Sequence, residues 1–147
     1  MHRDHDIAIV GGGAAGTLAA IHLLRQARPG LRIAIYEPAP RPGEGVAYST
    51  RRPEHLLNVP AGKMSALPEE PADFLHWLAG RAEYAGAGDL SGRYLPRRDY
   101  AAYLGQRLEE ARASSPATLE LHRHRITALQ RRDGGLRLQW DGGSAGA

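Results

Sequence analysis

An α/β fold that starts with a parallel βαβ unit and closes on a β-hairpin is predicted by three observations. A short apolar run, Ile7-Ala8-Ile9-Val10, leads into a glycine turn, Gly11-Gly12-Gly13-Ala14-Ala15-Gly16, and the turn leads into a helical run. A second apolar run, Leu31-Arg32-Ile33-Ala34-Ile35-Tyr36, ends on an acid, Glu37, about 20 residues beyond Gly16. Near the other end, Asp133-Gly134-Gly135 separates two β-like runs, and Leu136, Leu138 and Trp140 alternate after it.

Each part of the first unit has a physical reason. Ile7, Ile9 and Val10 leave no polar face, as a parallel strand covered on both sides requires. Gly11 permits the tight turn out of the strand, Gly13 lets the backbone approach a pyrophosphate, and Gly16 lets the helix pack closely on the sheet. Gly12 and Ala15 belong to the same turn and are counted with it as cofactor-binding candidates. The helix that follows, over residues 14–27, points its free N–H groups and partial positive charge at the phosphates. At the end of the second strand Glu37 accepts hydrogen bonds from both hydroxyls of an adenosine ribose and repels a 2′-phosphate, which disfavours NADP as the ligand of this unit. The helix carries Leu18, Ile21, Leu23 and Leu24 on overlapping apolar faces, places His22 on its solvent side, and stops at Arg28-Pro29-Gly30.

Three prolines within residues 38–42 exclude regular structure after Glu37, and Gly43 and Gly45 let a backbone pass near a flat ligand. Residues 55–65 form an aperiodic loop of the kind that is more often functional than idle. Pro71 opens a helix with Phe74, Leu75 and Leu78 at core spacing, Trp77 packed with them and His76 on the surface. A last helix, led in by Tyr94-Leu95-Pro96-Arg97, buries Tyr100, Tyr103, Leu104, Leu108 and Ala111 and stops at Ser114-Ser115-Pro116.

The rest reads as β. Leu119-Glu120-Leu121-His122 alternates, Ile126-Thr127-Ala128-Leu129 follows, and the Asp-Gly hairpin comes next. His122 and His124 share a strand face, but no further ligand can be placed beside them, so no metal is assigned. No further parallel strand remains for the sheet that the βαβ unit begins. The fold is therefore read as incomplete at its C-terminus, and residues 1–147 as one nucleotide-binding domain, the N-terminal part of a longer protein or a truncated product.

A chain of 147 residues is one domain's worth and long enough for a proper core. With no cysteine, disulfides, thiolate metal sites and cysteine nucleophiles are excluded. The start, Met1-His2-Arg3-Asp4-His5-Asp6, is unlike a signal peptide, and no run approaches the roughly 18 apolar residues of a membrane span, so a soluble cytoplasmic protein without a membrane partner is expected. Net charge is +3, and all but one of the 19 cationic residues are arginines, the exception being Lys63. They are scattered among carboxylates rather than gathered in a stripe, so no nucleic-acid partner is expected.

Four segments together resemble a known family. They are Ile9-Val10-Gly11-Gly12-Gly13-Ala14-Ala15-Gly16; Pro42-Gly43-Glu44-Gly45-Val46-Ala47-Tyr48; His55-Leu56-Leu57-Asn58-Val59-Pro60-Ala61 with Met64-Ser65; and Pro96-Arg97-Arg98-Asp99-Tyr100-Ala101-Ala102-Tyr103-Leu104. The chain resembles the bacterial FAD/NAD(P)-binding proteins related to flavin-dependent monooxygenases and N-hydroxylases, over essentially its whole length. The string from His55 to Ala61 is the most specific part. The resemblance implies a Rossmann-like FAD/NAD(P)-binding fold, FAD as cofactor, NADH or NADPH as electron donor, oxygen, and a small-molecule substrate. It implies that Asn58 and the Gly45 loop lie beside the flavin ring and that Arg97 contacts the cofactor from a helix start. Members of the family are longer, with a second nucleotide-binding region and a later strand and Gly-Asp segment that close on the flavin, and many carry glycine where Ala101 stands.

The expected function is thus the FAD-binding N-terminal portion of a flavin-dependent oxidoreductase of monooxygenase type. The alternative is a non-catalytic FAD- or NAD-binding module or a truncated remnant. No side chain is assigned a catalytic role, because the cofactor carries the chemistry. The oligomeric state is left open.

Overall fold

The computed structural model describes residues 4–147. The polar start at residues 1–3, read above as unlike a signal peptide, lies outside them. Strand β1 (Ile7–Val10), helix α1 (Ala14–Arg25) and strand β2 (Arg32–Tyr36) form the βαβ unit. The strands are parallel, with Ile7 opposite Ile33 and Val10 opposite Tyr36. Ile33, Ala34, Ile35 and Tyr36 are all at most 1% exposed, as befits a parallel strand covered on both faces.

The chain then passes through three helices, α2 (Gly45–Tyr48), α3 (Asp73–Ala79) and α4 (Arg97–Ser114), before it returns to the sheet. It returns as β3 (Thr118–His122), which lies parallel to β2, and the sheet order is β1-β2-β3. The expectation that no further parallel strand remained is therefore corrected. Its Leu-Glu-Leu-His alternation is that of an edge strand: Leu119 is buried under the helices while Glu120 is exposed on the other face. Alternation of this kind reports a half-buried strand and says nothing about its direction.

The hairpin forms as read. Strands β4 (Ala128–Arg132) and β5 (Gly135–Trp140) pair antiparallel across Asp133 and Gly134, and Gly134 takes a φ of +86°. Residues 143–146, which carry no strand pattern, add β6 (Gly143–Gly146) to make a three-stranded antiparallel sheet. Its last residue ties back to the start of the fold: the Gly146 carbonyl accepts from the His5 N–H at 3.2 Å, and Asp4 Oδ2 accepts from the Gly146 N–H at 2.9 Å.

Packing places a different layer on each face of the parallel sheet. Ile33, Ile35 and Leu119 pack under α1 and α4 through Ile21, Leu24 and Leu108. Ala34 and Tyr36 pack against the antiparallel sheet through Leu138 and Trp140. A third cluster lies off the sheet, where Phe74 and Trp77 of α3 meet Tyr100, Tyr103 and Leu104 of α4. His76 is exposed as expected. His22 is not on a solvent face: it is half-buried, with Nε2 3.0 Å from the Ala66 carbonyl oxygen, because the loop at Ala66 crosses α1.

The off-sheet cluster contains one buried ion pair. Arg107 donates through Nε and Nη2 to the two Asp73 carboxylate oxygens at 2.7 and 2.8 Å, and the Tyr103 hydroxyl donates to the same carboxylate at 2.6 Å. Burial pushes the Asp73 carboxyl up, but the guanidinium and the hydroxyl outweigh it and hold the group below its usual range. Asp73→Ala strands three donors, two on Arg107 and one on Tyr103, and is expected to lower stability by about 3 kcal/mol in urea denaturation. Because the folded pKa is depressed, this contribution is present above the unfolded value of about 3.9 and is lost as pH falls through the folded value. The gap between wild type and variant should be constant between about pH 7 and pH 5 and should close below about pH 4. A gap unchanged at the acid end would show that the carboxylate charge is not its source.

Candidate nucleotide-binding site

The chain leaves β1 at Gly11 with a φ of +100°, a conformation that L side chains rarely adopt. Gly16, in the first turn of α1, lies directly over this bend: an added Cβ would sit 1.9 Å from the Gly11 carbonyl oxygen. Thr17, fully buried, ties the helix to the turn by donating from Oγ1 to the Gly12 carbonyl at 3.1 Å. Helix α1 begins with Gly13 as an extended N-cap that has no side-chain cap, and no acid occupies its first turn. The N–H groups of Ala14, Ala15 and Gly16 therefore remain without helical or capping acceptors, at the positive end of the helix dipole.

Glu37 stands against this turn. Its Oε2 accepts from the Gly12 N–H at 2.7 Å and its Oε1 from the Ala39 N–H at 2.8 Å. A Cβ on Gly12 would fall 2.8 Å from the Glu37 Cβ, so the glycine makes room for the acid. The third wall is the Gly43–Gly45 segment. The Gly43 N–H donates to the Gly12 carbonyl at 2.7 Å, and the Gly45 backbone passes so close that an added Cβ would lie 3.0 Å from the Gly13 Cα. Between them Glu44 is 8% exposed and accepts from Arg51 Nη2 at 2.9 Å and Arg41 Nη1 at 3.4 Å, which anchors the segment.

These walls bound a cleft of about 680 Å³ lined by Gly11, Glu37 and Gly45 and, from the loop between β3 and β4, by His124, Arg125 and Ile126. Reading the sequence missed those last three residues and Thr17. The available signal was position: the loop leaves the carboxyl end of a strand, where ligands of open α/β sheets bind, but only the corrected direction of β3 puts it there. A second cleft, of about 340 Å³, lies where α1, α3 and α4 meet, and its Arg107, Asp73 and Glu110 are occupied with one another.

The structure thus sets Gly11, Glu37 and Gly45 on the cleft wall, with Gly12, Gly13 and Gly16 packed against them in the turn and Ala15 beside them in the first turn of α1. Asn58 and Arg97 do not line this cleft. Residues 55–57 pair with 95–97 as a short antiparallel bridge, through Leu57 N–H to the Leu95 carbonyl at 2.8 Å and Arg97 N–H to the His55 carbonyl at 2.9 Å. The Arg97 guanidinium donates to the Leu56 carbonyl at 2.9 Å and the Ala47 carbonyl at 3.4 Å. It therefore joins the segment after Gly45 to the loop that carries Asn58, which is itself exposed.

The FAD-NAD(P)-binding family matches residues 8–147. Among solved structures, a mutant of a flavin monooxygenase from Stenotrophomonas maltophilia is 25% identical with a TM-score of 0.64, over 99% of this chain and 37% of that one. Halogenase PltM, solved with phloroglucinol and FAD, is 14% identical with a TM-score of 0.55, over 99% and 33%. The flavin-dependent monooxygenase PieE, solved with FAD and substrate, is 19% identical with a TM-score of 0.53, over 99% and 29%. The last two likenesses show a shared fold. The chain spans about a third of the length of these proteins. No curated protein matches it.

Gly16→Ala forces either α1 or the Gly11 bend to move, and should lower stability by about 1–3 kcal/mol. Gly92→Ala, where an added Cβ meets nothing within 4 Å, is the control and should change it by less than about 0.5 kcal/mol. Equal melting temperatures for the two variants would show that the close approach of helix and turn is not a constraint.

Proposed function

We propose that this chain, which belongs to the FAD-NAD(P)-binding family, holds FAD in a flavin-dependent oxidoreductase of monooxygenase type that takes its electrons from reduced nicotinamide and acts on a small molecule. The observation that carries the reading is the meeting of three features at one cleft: the glycine turn, which reaches it at Gly11, the Glu37 carboxylate and the Gly45 backbone. A side chain at Gly12, Gly16 or Gly45 would fill or collapse that cradle. The residues present therefore fit a dinucleotide.

Each would act in a defined way. The free N–H groups of the first turn of α1 donate to the pyrophosphate. Gly12 and Ala39 each use one lone pair of the Glu37 carboxylate and so fix its orientation, and its remaining lone pairs accept from the two ribose hydroxyls. A 2′-phosphate there would meet the carboxylate charge, which favours an adenosine without one. Arg97 acts as a positioning residue that holds the Gly45 and Asn58 loops together, and Asn58, exposed on the second loop, would be available to the flavin ring. When bound, FAD supplies hydride acceptance and reaction with oxygen.

The apolar rim supports a larger protein around this domain. Val10 is 51% exposed and Val46 fully so, and both line the cleft. Among the described residues no helix is long and apolar enough to cross a membrane.

Glu37→Ala is expected to weaken FAD binding about tenfold or more, since hydrogen bonds to a charged group contribute about 1.5–3 kcal/mol each. FMN lacks the adenosine and should bind variant and wild type alike in the same fluorescence titration. An unchanged FAD affinity would remove Glu37 from the ribose and the cleft from the proposal. Oxidation of NADH or NADPH under air by the flavin-loaded protein tests the catalytic part, and a loaded protein that oxidises neither supports a binding module instead.

A further inference from the structure

We propose that His5, Glu120 and His122 form a binding site for one divalent transition-metal ion, Zn²⁺ by the chemistry of the ligands. From the sequence only His122 and His124 stand near each other, and two imidazoles do not make a site. Folding supplies the rest. His5 lies in the lead into β1, and Glu120 and His122 lie two residues apart on one face of β3. Their candidate ligand atoms, two imidazole nitrogens and a carboxylate oxygen, all fall within 4.8 Å of one another.

One edge of the site already has the right size. Glu120 Oε2 and His122 Nε2 are 3.0 Å apart, near the roughly 3.4 Å that separates two ligands held about 2.1 Å from a tetrahedral ion. The His5 ring lies 5.2 Å from that of His122, and His5 is 4% exposed with no hydrogen-bond partner for its Nδ1. A buried imidazole nitrogen without a partner is costly, and such groups call for an explanation. The Tyr36 ring stacks on His122 at 4.8 Å and meets His5 edge-on at 6.0 Å, which holds both imidazoles in place. Glu120 is exposed and already paired with His122, so its carboxylate can turn about that edge to meet an ion.

Two imidazoles and one carboxylate, with water in the fourth position, are a ligand set that zinc takes. Magnesium and calcium seek oxygen ligands and are disfavoured by the same set. Such an ion would bridge the lead into β1 to β3 over the Tyr36 ring of β2. His124 stacks on Trp140 at 4.6 Å, with its ring 6.4 Å from that of His122, and stands outside the group whose ligand atoms converge.

The test uses the purified chain without a histidine tag, stripped with EDTA and titrated with zinc sulfate or cobalt chloride near pH 7.5. One equivalent of Co²⁺ should give visible d–d absorption, and Zn²⁺ at about one hundred times Kd should raise Tm by about 8 °C. Both effects should vanish in His122→Ala and in Glu120→Ala, whose folding is checked by circular dichroism, and should persist in His124→Ala. The proposal is overturned if the wild type shows neither effect, if His122→Ala retains them, or if His124→Ala loses them. Flavin content plays no part in the readout, so failure here leaves the cleft untouched.

Discussion

The approach of α1 to the end of β1 is the constraint from which the rest follows. Only hydrogen at Gly16 lets the helix rest on the Gly11 carbonyl, where a methyl group would come within 1.9 Å. That contact fixes where the N-terminus of α1 points, and Thr17 fixes its rotation through the Gly12 carbonyl. Once helix and turn are locked, the Gly12 N–H has one direction available, and Glu37 fills it. A helix set even one ångström higher would lose the hydrogen bond and the alignment of its free N–H groups together.

β2 carries this geometry into the core. It is the central strand of the parallel sheet, with helices on one face and the antiparallel sheet on the other, so its side chains from Ile33 to Tyr36 are each committed to a layer. Ile33 and Ile35 face α1 and α4, whereas Ala34 and Tyr36 face β5. Glu37 is the first residue past this double cover and is only half-buried. A carboxylate there stands at the rim while the strand behind it is packed on both faces. The off-sheet cluster of α3 and α4, with its Arg107–Asp73 pair, is a separate unit of packing that holds the loops carrying Leu57 and Leu95.

Legibility tracked how local each interaction was. The βαβ unit, the apolar face of α4 and the Asp-Gly hairpin rest on patterns within 10 to 30 residues, and all are present. β3 was legible as a strand but not as a parallel one, because its pairing is decided by an alignment of Tyr36 with His122 that no local pattern encodes. β6 has glycine, serine and alanine only, so nothing but its partner Leu138 strand makes it β. His22 showed one polar residue on a helix; its acceptor, the Ala66 carbonyl, is 44 residues away. For the site, glycines and acid were legible because steric and charge requirements name the residue type. His124, Arg125 and Ile126 were not, since a cleft wall built from a loop accepts many residue types.

The sequence by itself determined the turn, the acid and the order of strand and helix around them, because each requires a particular residue type at a particular spacing. Tertiary structure alone decided the direction of β3, the cleft wall at His124, Arg125 and Ile126, and the convergence of His5 with Glu120 and His122. Those depend on segments far apart in the chain meeting across a sheet, and the free energy that brings them together comes from burying Ile33, Tyr36 and Leu119 rather than from the residues that meet.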